Sequence, residues 1–264
     1  VLGHLLSPEG LHILKVSPAG TLLWGKTIST SYNMPVETIE VIDEDEFYIS
    51  FIYESSGSTT ITFSSTVVVS IPSNGLESYV VAFHDATNGW MWAESNLFDE
   101  RSNPRWNTGL DSNDNYITTH YLGIYYDSVN NRNYHNFSIT SYSSLGKNWE
   151  KNVQYYYGLQ IATLFMDIEG TNLHFFAETR YDWTFDGQTT NCPSSQPTAC
   201  HFWLTLDSTG AKVSAITKPH PWVFFTTFSV RQGDAYLSGI AGGDSGPTQH
   251  NFTGTLTNFS ANGD

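Results

Sequence analysis

The sequence is poor in basic residues, and this shortage excludes two classes of partner. Its 264 residues include 11 Lys and Arg against 26 Asp and Glu, which gives a net charge of −15. Nucleic acids and anionic membrane surfaces both attract proteins through clustered Lys and Arg. No apolar run reaches the roughly 20 residues that a membrane-spanning helix needs. We therefore expect neither a nucleic-acid partner nor insertion into a membrane.

Cysteine is also scarce, since the chain holds only Cys192 and Cys200. A zinc site takes about four ligands, and there is no second cysteine pair to complete one. The two residues flank a loop that contains proline, so a local disulfide is the better interpretation. A disulfide indicates an oxidising compartment. It predicts an extracellular or cell-surface protein.

Asparagine sequons point to the same location. An N-glycosylation acceptor has the pattern Asn-x-Ser/Thr and lies in a secreted protein. The chain has three such triplets, at Asn136, Asn251 and Asn258. Triplets of this kind also arise by chance where Ser and Thr are common, so they support the prediction of a glycoprotein and do not prove it.

Aromatic residues are abundant, at 15% of the chain, and they recur in a repeated hairpin. The clearest copy is residues 76–94, where a strand, an Asp-Ala-Thr-Asn-Gly turn and a tryptophan-bearing strand follow one another. Asp, Asn and Gly tolerate the left-handed backbone of tight turns, and alternating residues fit a half-buried strand. Further copies begin near His12, Phe137, Phe202 and Phe252. Five copies of one hairpin indicate a repeat architecture.

A second hairpin, with an acidic turn, alternates with the first, as in residues 41–51 and 110–118. Two hairpins make a four-stranded unit, which is the size of a propeller blade, and the longer units carry insertions before their third strand. We predict one all-β domain over residues 1–264, a β-propeller of four-stranded antiparallel blades. Its units are residues 1–30, 31–96, 97–153, 154–218 and 219–264.

The first and last of these units are incomplete. The first begins at its second strand, and the last stops after its third. Unpaired strand edges attract other strands. We therefore expect neighbouring copies or flanking domains to pair with the chain ends in an assembly.

Several segments follow a pattern that is known from other proteins. They are the Gly-Ser-Thr-Thr-Ile-Thr-Phe run at 57–63, the Ser-Tyr-Val-Val-Ala-Phe strand at 78–83, Gly-Trp-Met-Trp at 89–92 and Leu-Trp-Gly-Lys at 23–26. This pattern resembles the SBBP-type β-propeller repeat, closely in the first two units and more loosely in the others, where Val213 replaces a tryptophan. The resemblance implies a β-propeller in a secreted or surface-attached microbial protein. It carries no catalytic residues.

Two acidic turns are candidate cation sites. Asp43 and Asp45 lie in one turn, Asp111 and Asn113 lie in another, and Ca²⁺ prefers such oxygen ligands. The second turn departs from an EF-hand loop, because Tyr116 stands where that loop needs glycine. We expect no cofactor, with Ca²⁺ at these turns as the alternative.

Four aromatic residues outside the repeat pattern are candidates for stacking on sugar rings, because exposed aromatic faces often mark binding sites. They are Trp106, Tyr181, Trp183 and Trp222. The tryptophans that recur with the hairpin are expected to pack between blades. These are Trp24, Trp92, Trp149 and Trp203.

These features favour a non-catalytic function. We predict a structural or adhesive extracellular module of a microbial surface protein or an extracellular assembly, and no enzyme. A glycan-binding, lectin-like propeller is the alternative. A five-bladed glycosidase is third, and it would need two carboxylates that face each other across a sugar-binding site.

Overall fold

The structure of the chain is a computed structural model. It describes residues 2–7, 10–29, 36–53, 59–71, 77–98, 107–129, 131–156, 164–179, 181–192, 200–219, 223–241 and 254–255. Within these ranges every regular element is a strand, so the all-β prediction is confirmed. Among the same residues there is no helix long and apolar enough to cross a membrane. The chain divides into two compact units: unit 1 is Val1–Glu100 with Ser143–Gly146, and unit 2 is Arg101–Tyr142 with Lys147–Asp264.

Unit 1 contains two larger sheets and a separate hairpin, all antiparallel. The first sheet has the order β1 (Leu2–Ser7), β2 (Gly10–Val16) and β3 (Leu22–Ile28). The second sheet has the order β4 (Val36–Asp43), β5 (Glu46–Tyr53), β8 (Glu77–Asp85) and β9 (Gly89–Phe98). The hairpin consists of β6 (Thr59–Thr62) and β7 (Val68–Ile71).

Unit 2 contains three antiparallel sheets. The third sheet has the order β10 (Thr108–Leu110), β11 (Tyr116–Asp127), β12 (Arg132–Ser143), β13 (Gly146–Tyr156), β16 (Asp182–Phe185) and β17 (Gln188–Asn191). The fourth has the order β14 (Phe165–Glu169), β15 (Asn172–Thr179), β18 (Cys200–Leu206) and β19 (Lys212–Pro219). The fifth has the order β20 (Val223–Arg231), β21 (Asp234–Ala241) and β22 (Gly254–Thr255).

The strand pairing confirms the two alternating hairpins that the sequence predicts. The hairpin at residues 76–94 forms β8 and β9, and the acidic-turn hairpin at 41–51 forms β4 and β5. The second sheet therefore contains one copy of each hairpin, with the insertion between its second and third strands. The fourth sheet repeats this order.

Central strands are buried on both faces because neighbouring sheets stack on each other within a unit. All seven residues of β18 are buried, whereas outer strand β3 is exposed or half-buried along most of its length. In unit 1, Leu11 and Ile13 of the first sheet share a core with Phe47 of the second. In unit 2, Trp203 of the fourth sheet packs against Phe228 of the fifth.

Tryptophans on the second strand of the tryptophan-bearing hairpin hydrogen-bond to turns of the following sheet. In unit 1, Trp24 Nε1 on β3 donates to Asp45 Oδ1 in the β4–β5 turn at 2.7 Å. In unit 2, Trp149 Nε1 on β13 donates to the Ser208 carbonyl in the β18–β19 turn at 2.9 Å. A half-buried indole N–H needs an acceptor, so each bond fixes one sheet against the next. The predicted packing of these two tryptophans between sheets is confirmed.

In unit 2, hydrogen bonds also link the first hairpin of one sheet to the first hairpin of the next. The Ser112 amide, after β10, donates to the Gly170 carbonyl, after β14, at 2.9 Å. The Gly233 amide, after β20, donates to Glu169 Oε2 at 3.1 Å. The Val230 amide of β20 donates to Asp167 Oδ2 at 2.5 Å. Three consecutive sheets are thereby joined through their first strands and turns.

Two insertion hairpins, β6–β7 and β16–β17, reach back to the sheet before their own. Both lie where the sequence predicts insertions, between the second and third strands. Strand β16 pairs with β13, with Trp183 opposite Tyr155. Strand β6 makes the corresponding contact in unit 1, where Ser29, just beyond β3, exchanges two backbone hydrogen bonds with Thr62. Each hairpin thus joins the preceding sheet, β16 alongside β13 and β6 through Ser29, a pairing that the sequence did not reveal.

A disulfide secures the second of these hairpins. Cys192 follows β17 and Cys200 begins β18, and the two are bonded with a Cα–Cα distance of 5.9 Å. The predicted disulfide is confirmed. It links the β16–β17 hairpin of the third sheet to a buried strand of the fourth, and the Cys192 amide also donates to the Tyr181 carbonyl at 2.7 Å.

We expect Gly210→Ala to destabilise the protein more than Gly187→Ala. Both glycines have a positive φ, 77° and 79°, which costs an alanine about 1–2 kcal/mol. A Cβ on Gly210 would also lie 2.7 Å from the Trp149 ring, whereas one on Gly187 meets nothing within 4 Å. Overpacking adds about 1–3 kcal/mol. Urea unfolding of both variants measures the difference, and equal losses would contradict the packing role assigned to Trp149.

Reduction of the disulfide should release the β16–β17 hairpin. The cysteines lie 8 residues apart, and closing a loop of this size stabilises a fold by about 2–3 kcal/mol. Hydrogen exchange should quicken in β16 and β17 after reduction, while β18 stays protected because it is buried. The double variant Cys192→Ala, Cys200→Ala is the control, and its exchange should not respond to the reductant. Unchanged exchange in the reduced wild type would contradict the prediction.

Candidate functional site

Near the ends of its strands, one face of the third sheet carries a row of tyrosines, here called the tyrosine platform: Tyr125, Tyr134, Tyr156 and Tyr181. Residues directly opposite in an antiparallel pair share one face, and Tyr125 on β11 lies opposite Tyr134 on β12. The Tyr134 and Tyr156 rings are 6.1 Å apart, and the Tyr156 and Tyr181 rings are 4.8 Å apart. The row therefore crosses three adjacent strands, β11 to β13, and ends beside β16.

The platform is partly open to solvent. Tyr125 is 55% exposed and Tyr181 is 39% exposed, whereas Tyr134 between them is 7% exposed. Tyr156 is half-buried. Tyr134 and Tyr156, which lie between the two exposed rings, are held in place by neighbouring side chains. A surface that is already ordered loses less entropy when a ligand binds.

An arginine and an aspartate fix one end of the platform. The Arg132 guanidinium lies 3.8 Å from the centre of the Tyr181 ring, which is a cation–π contact. Its Nη1 approaches Asp182 Oδ1 at 3.4 Å, and Tyr134 Oη donates to the same oxygen at 2.9 Å. Burial, reinforced by the bond to Asp182, raises the pKa of Tyr134, so its hydroxyl remains a neutral donor. The positive and negative charges here compensate each other.

Trp183 does not belong to this surface, so its prediction as a sugar-stacking residue is wrong. Its side chain is 1% exposed and stacks on Phe202 at 4.4 Å. Its Nε1 donates to Thr217 Oγ1 at 2.8 Å. Alternation along β16 explains the difference, because Trp183 points towards the fourth sheet while Asp182 faces the platform. The indole is therefore enclosed in the protein core.

The other stacking candidates have different outcomes. Tyr181 does lie on an exposed surface, but Arg132 covers one side of its ring. Trp106 and Trp222 lie outside the described residues. Sequence reasoning missed Tyr125 altogether, although its place beside Tyr126 in a long strand was a signal that one ring of the pair would face outwards.

The first candidate cation site is occupied by protein groups. Asp45 Oδ1 accepts hydrogen bonds from Lys15 Nζ and Trp24 Nε1, each at 2.7 Å. The Lys15 bond, followed by the Trp24 bond, lowers the pKa of Asp45. Asp43 Oδ1 accepts from the Glu44 amide at 2.7 Å. Asp45 therefore links the first sheet to the second, and its carboxylate is already paired with the ammonium group of Lys15.

The second candidate cation site is a self-contained turn. The Asp111 side chain is almost fully buried, and its Oδ1 accepts from the amides of Asn113 and Asn115 at 2.8 and 3.0 Å. Within the described part of the chain, no group of three or more His, Cys, Asp or Glu side chains is placed to hold a metal ion. Calcium binding at these turns stays a prediction.

Several buried histidines are packing groups of the protein core. Burial lowers the pKa of His120 to about 3 and also lowers the pKa values of His84 and His174. The Trp203 indole donates to His174 Nδ1 at 3.2 Å, which requires that nitrogen to be unprotonated. These side chains are therefore neutral packing groups at physiological pH.

The sequons are placed only in part. Asn136 is a half-buried residue within β12, opposite Gly123 of β11. Ser138, which completes its triplet, is buried and donates to Glu150 Oε1 at 3.0 Å. Asn251 and Asn258 lie outside the described residues. Glycosylation at all three positions stays a prediction.

Acid should weaken the contact that Asp45 makes between the first two sheets. Its folded pKa lies below the ordinary value of 3.8, so its stabilisation is complete above the unfolded pKa and is lost as pH falls through the folded pKa. Wild type should exceed Asp45→Asn in unfolding free energy by up to about 1 kcal/mol at neutral pH, as for partly exposed ion pairs. Urea unfolding from pH 7 to below pH 3 should show this difference disappearing in acid. Asp43→Asn in the same turn is the control, and a difference that is independent of pH would contradict the assignment.

No protein-family model matches this sequence, and neither does any curated protein. Two solved structures with some similarity are a member of the DUF4221 family from Bacteroides vulgatus and BamB from Moraxella catarrhalis. The first is 10% identical with a TM-score of 0.33, over 86% of this chain and 66% of that one. The second is 12% identical with a TM-score of 0.27, over 97% of this chain and 93% of that one. Similarity at this level assigns neither a fold nor a function to the chain.

Proposed function

We propose that this chain is a non-catalytic extracellular β-propeller module with a structural or adhesive role. The observation that carries the proposal is the recurring connection between successive sheets within each unit. In unit 2, first strands and turns of three consecutive sheets are joined, as by the Ser112–Gly170 bond. Blades that meet through their first strands are the arrangement of a propeller. Such a scaffold is rigid and offers large outer surfaces for attachment.

The extracellular location is supported by the disulfide and by the charge. Cys192 and Cys200 are bonded, as is usual for proteins that fold in oxidising compartments. A net charge of −15 keeps the chain soluble and discourages adsorption to anionic surfaces. Association of neighbouring copies of the chain is part of the same proposal. Size-exclusion chromatography with light scattering would detect copies that associate.

Glycan recognition is the second candidate function, and the tyrosine platform is the observation that favours it. Tyrosine offers a large, rigid contact area with a hydroxyl at its edge. A glycosidase has no comparable support from three of the described carboxylates, which are engaged in hydrogen bonds within the protein. Asp45, Asp111 and Asp167 each accept hydrogen bonds from their own turn or from an adjacent sheet.

Beads that carry the folded chain should adhere to surfaces coated with extracellular polysaccharide or matrix protein. The same beads should leave a panel of chromogenic glycosides and esters unhydrolysed. Chain that has been reduced and alkylated at Cys192 and Cys200 is the control, because it loses the link between the third and fourth sheets. Turnover of a substrate that Asp167→Asn or Glu169→Gln abolishes would overturn the non-catalytic proposal. Equal adhesion of bare beads would remove the adhesive role.

A further inference from the structure

We infer that the tyrosine platform binds a neutral oligosaccharide chain, with Tyr125 and Tyr181 as the contacts at its two ends. This inference rests on the second candidate function, glycan recognition, and specifies its site and its ligand. A hexopyranose has an apolar C–H face and a rim of hydroxyls. It therefore matches a surface that alternates aromatic rings with polar groups.

The dimensions of the platform suit a chain of sugars. Tyr125, Tyr134 and Tyr156 occupy three neighbouring strands, and Tyr181 continues the row past β13. At about 4.8 Å per strand, the row is roughly 14 Å long. A single sugar ring would cover only part of this length. An oligosaccharide lying across the strands could contact both exposed rings.

Polar side chains flank the rings on the same face. Asp182 lies beside Tyr134, and Thr184, two residues further along β16, faces the same way. Gln154 of β13 lies opposite Thr184 and is half-buried. Amide and hydroxyl groups donate hydrogen bonds to sugar hydroxyls and also accept them, whereas the ionised carboxylate only accepts. They provide orientation, while the rings provide contact area.

Charge excludes anionic glycans from this site. Arg132, the cation that stacks on Tyr181, is paired with Asp182 at 3.4 Å. Asp127 lies opposite Arg132 in the β11–β12 ladder and therefore on the same face. The chain as a whole carries a net charge of −15, which repels sulfated or carboxylated polymers. A neutral sugar is not repelled by this negative charge.

Two adjacent residues make a matched test. Tyr125 and Tyr126 are both 55% exposed, but they lie on opposite faces of β11, and Tyr126 Oη donates to Asn131. Loss of one ring contact should weaken binding about three- to tenfold. We expect this loss for Tyr125→Ala, near-wild-type binding for Tyr126→Ala, and retained binding for Tyr125→Phe, which keeps the ring.

The probes are soluble neutral polysaccharides and oligosaccharides: xylan, glucomannan, laminarin, hydroxyethyl cellulose, and the gluco-, xylo- and manno-oligosaccharides of two to six units. Affinity electrophoresis detects binding to the polymers, and titration calorimetry measures the oligosaccharides. Heparin and polygalacturonate are the anionic probes. Affinity for a neutral probe should rise with oligosaccharide length up to about three or four units, because longer chains reach both ends of the platform.

Three results would overturn the inference: no neutral probe binds, anionic probes bind better, or Tyr125→Ala and Tyr126→Ala lose affinity equally. Circular dichroism of each variant establishes that the sheets are intact. The bead-adhesion experiment does not depend on this outcome, because matrix-protein surfaces contain a separate class of ligand. Failure of the oligosaccharide assay with continued adhesion would therefore remove the glycan site and leave the scaffold role standing.

Discussion

The hydrogen bond from a tryptophan of one sheet to a turn of the next sheet is the interaction on which the arrangement depends. Trp24 meets Asp45 in this way in unit 1, and Trp149 meets Ser208 in unit 2. Hydrophobic stacking alone would allow sheets to slide, since burial has no direction. A directional bond between half-buried groups removes this freedom. The turn that receives the Trp149 ring must then be tight, which is why a glycine lies beneath it at position 210.

The insertion hairpins add a second constraint and also create the candidate site. Strand β16 pairs with β13 of the third sheet, although in the chain it lies between β15 and β18 of the fourth, so it covers an edge that would otherwise be open. The same pairing brings Tyr181 and Asp182 beside residues of β12 and β13. The disulfide holds the hairpin in this position from its other end. The tyrosine platform is therefore a consequence of how the sheet edge is protected.

Several of the described acidic side chains accept hydrogen bonds from the backbone of turns. Asp207 Oδ1 accepts from the Thr209 hydroxyl and from the amides of Thr209 and Ala211, and these bonds lower its pKa. Asp85 accepts from the Asn88 and Thr87 amides in the equivalent turn. A carboxylate in such a position replaces a missing backbone partner. Part of the negative charge of the chain thus has a structural explanation that needs no bound cation.

The sequence by itself determined the local features of this protein. The all-β class, the two alternating hairpins, the positions of the insertions and the Cys192–Cys200 bond could all be predicted, because turns and strands depend on residues close together in the chain. The tertiary structure alone decided which sheet each insertion joins. Trp183 is buried and Tyr125 is exposed for this reason. Alternation shows that successive side chains face opposite ways, but only the neighbouring sheet determines which of those faces is covered.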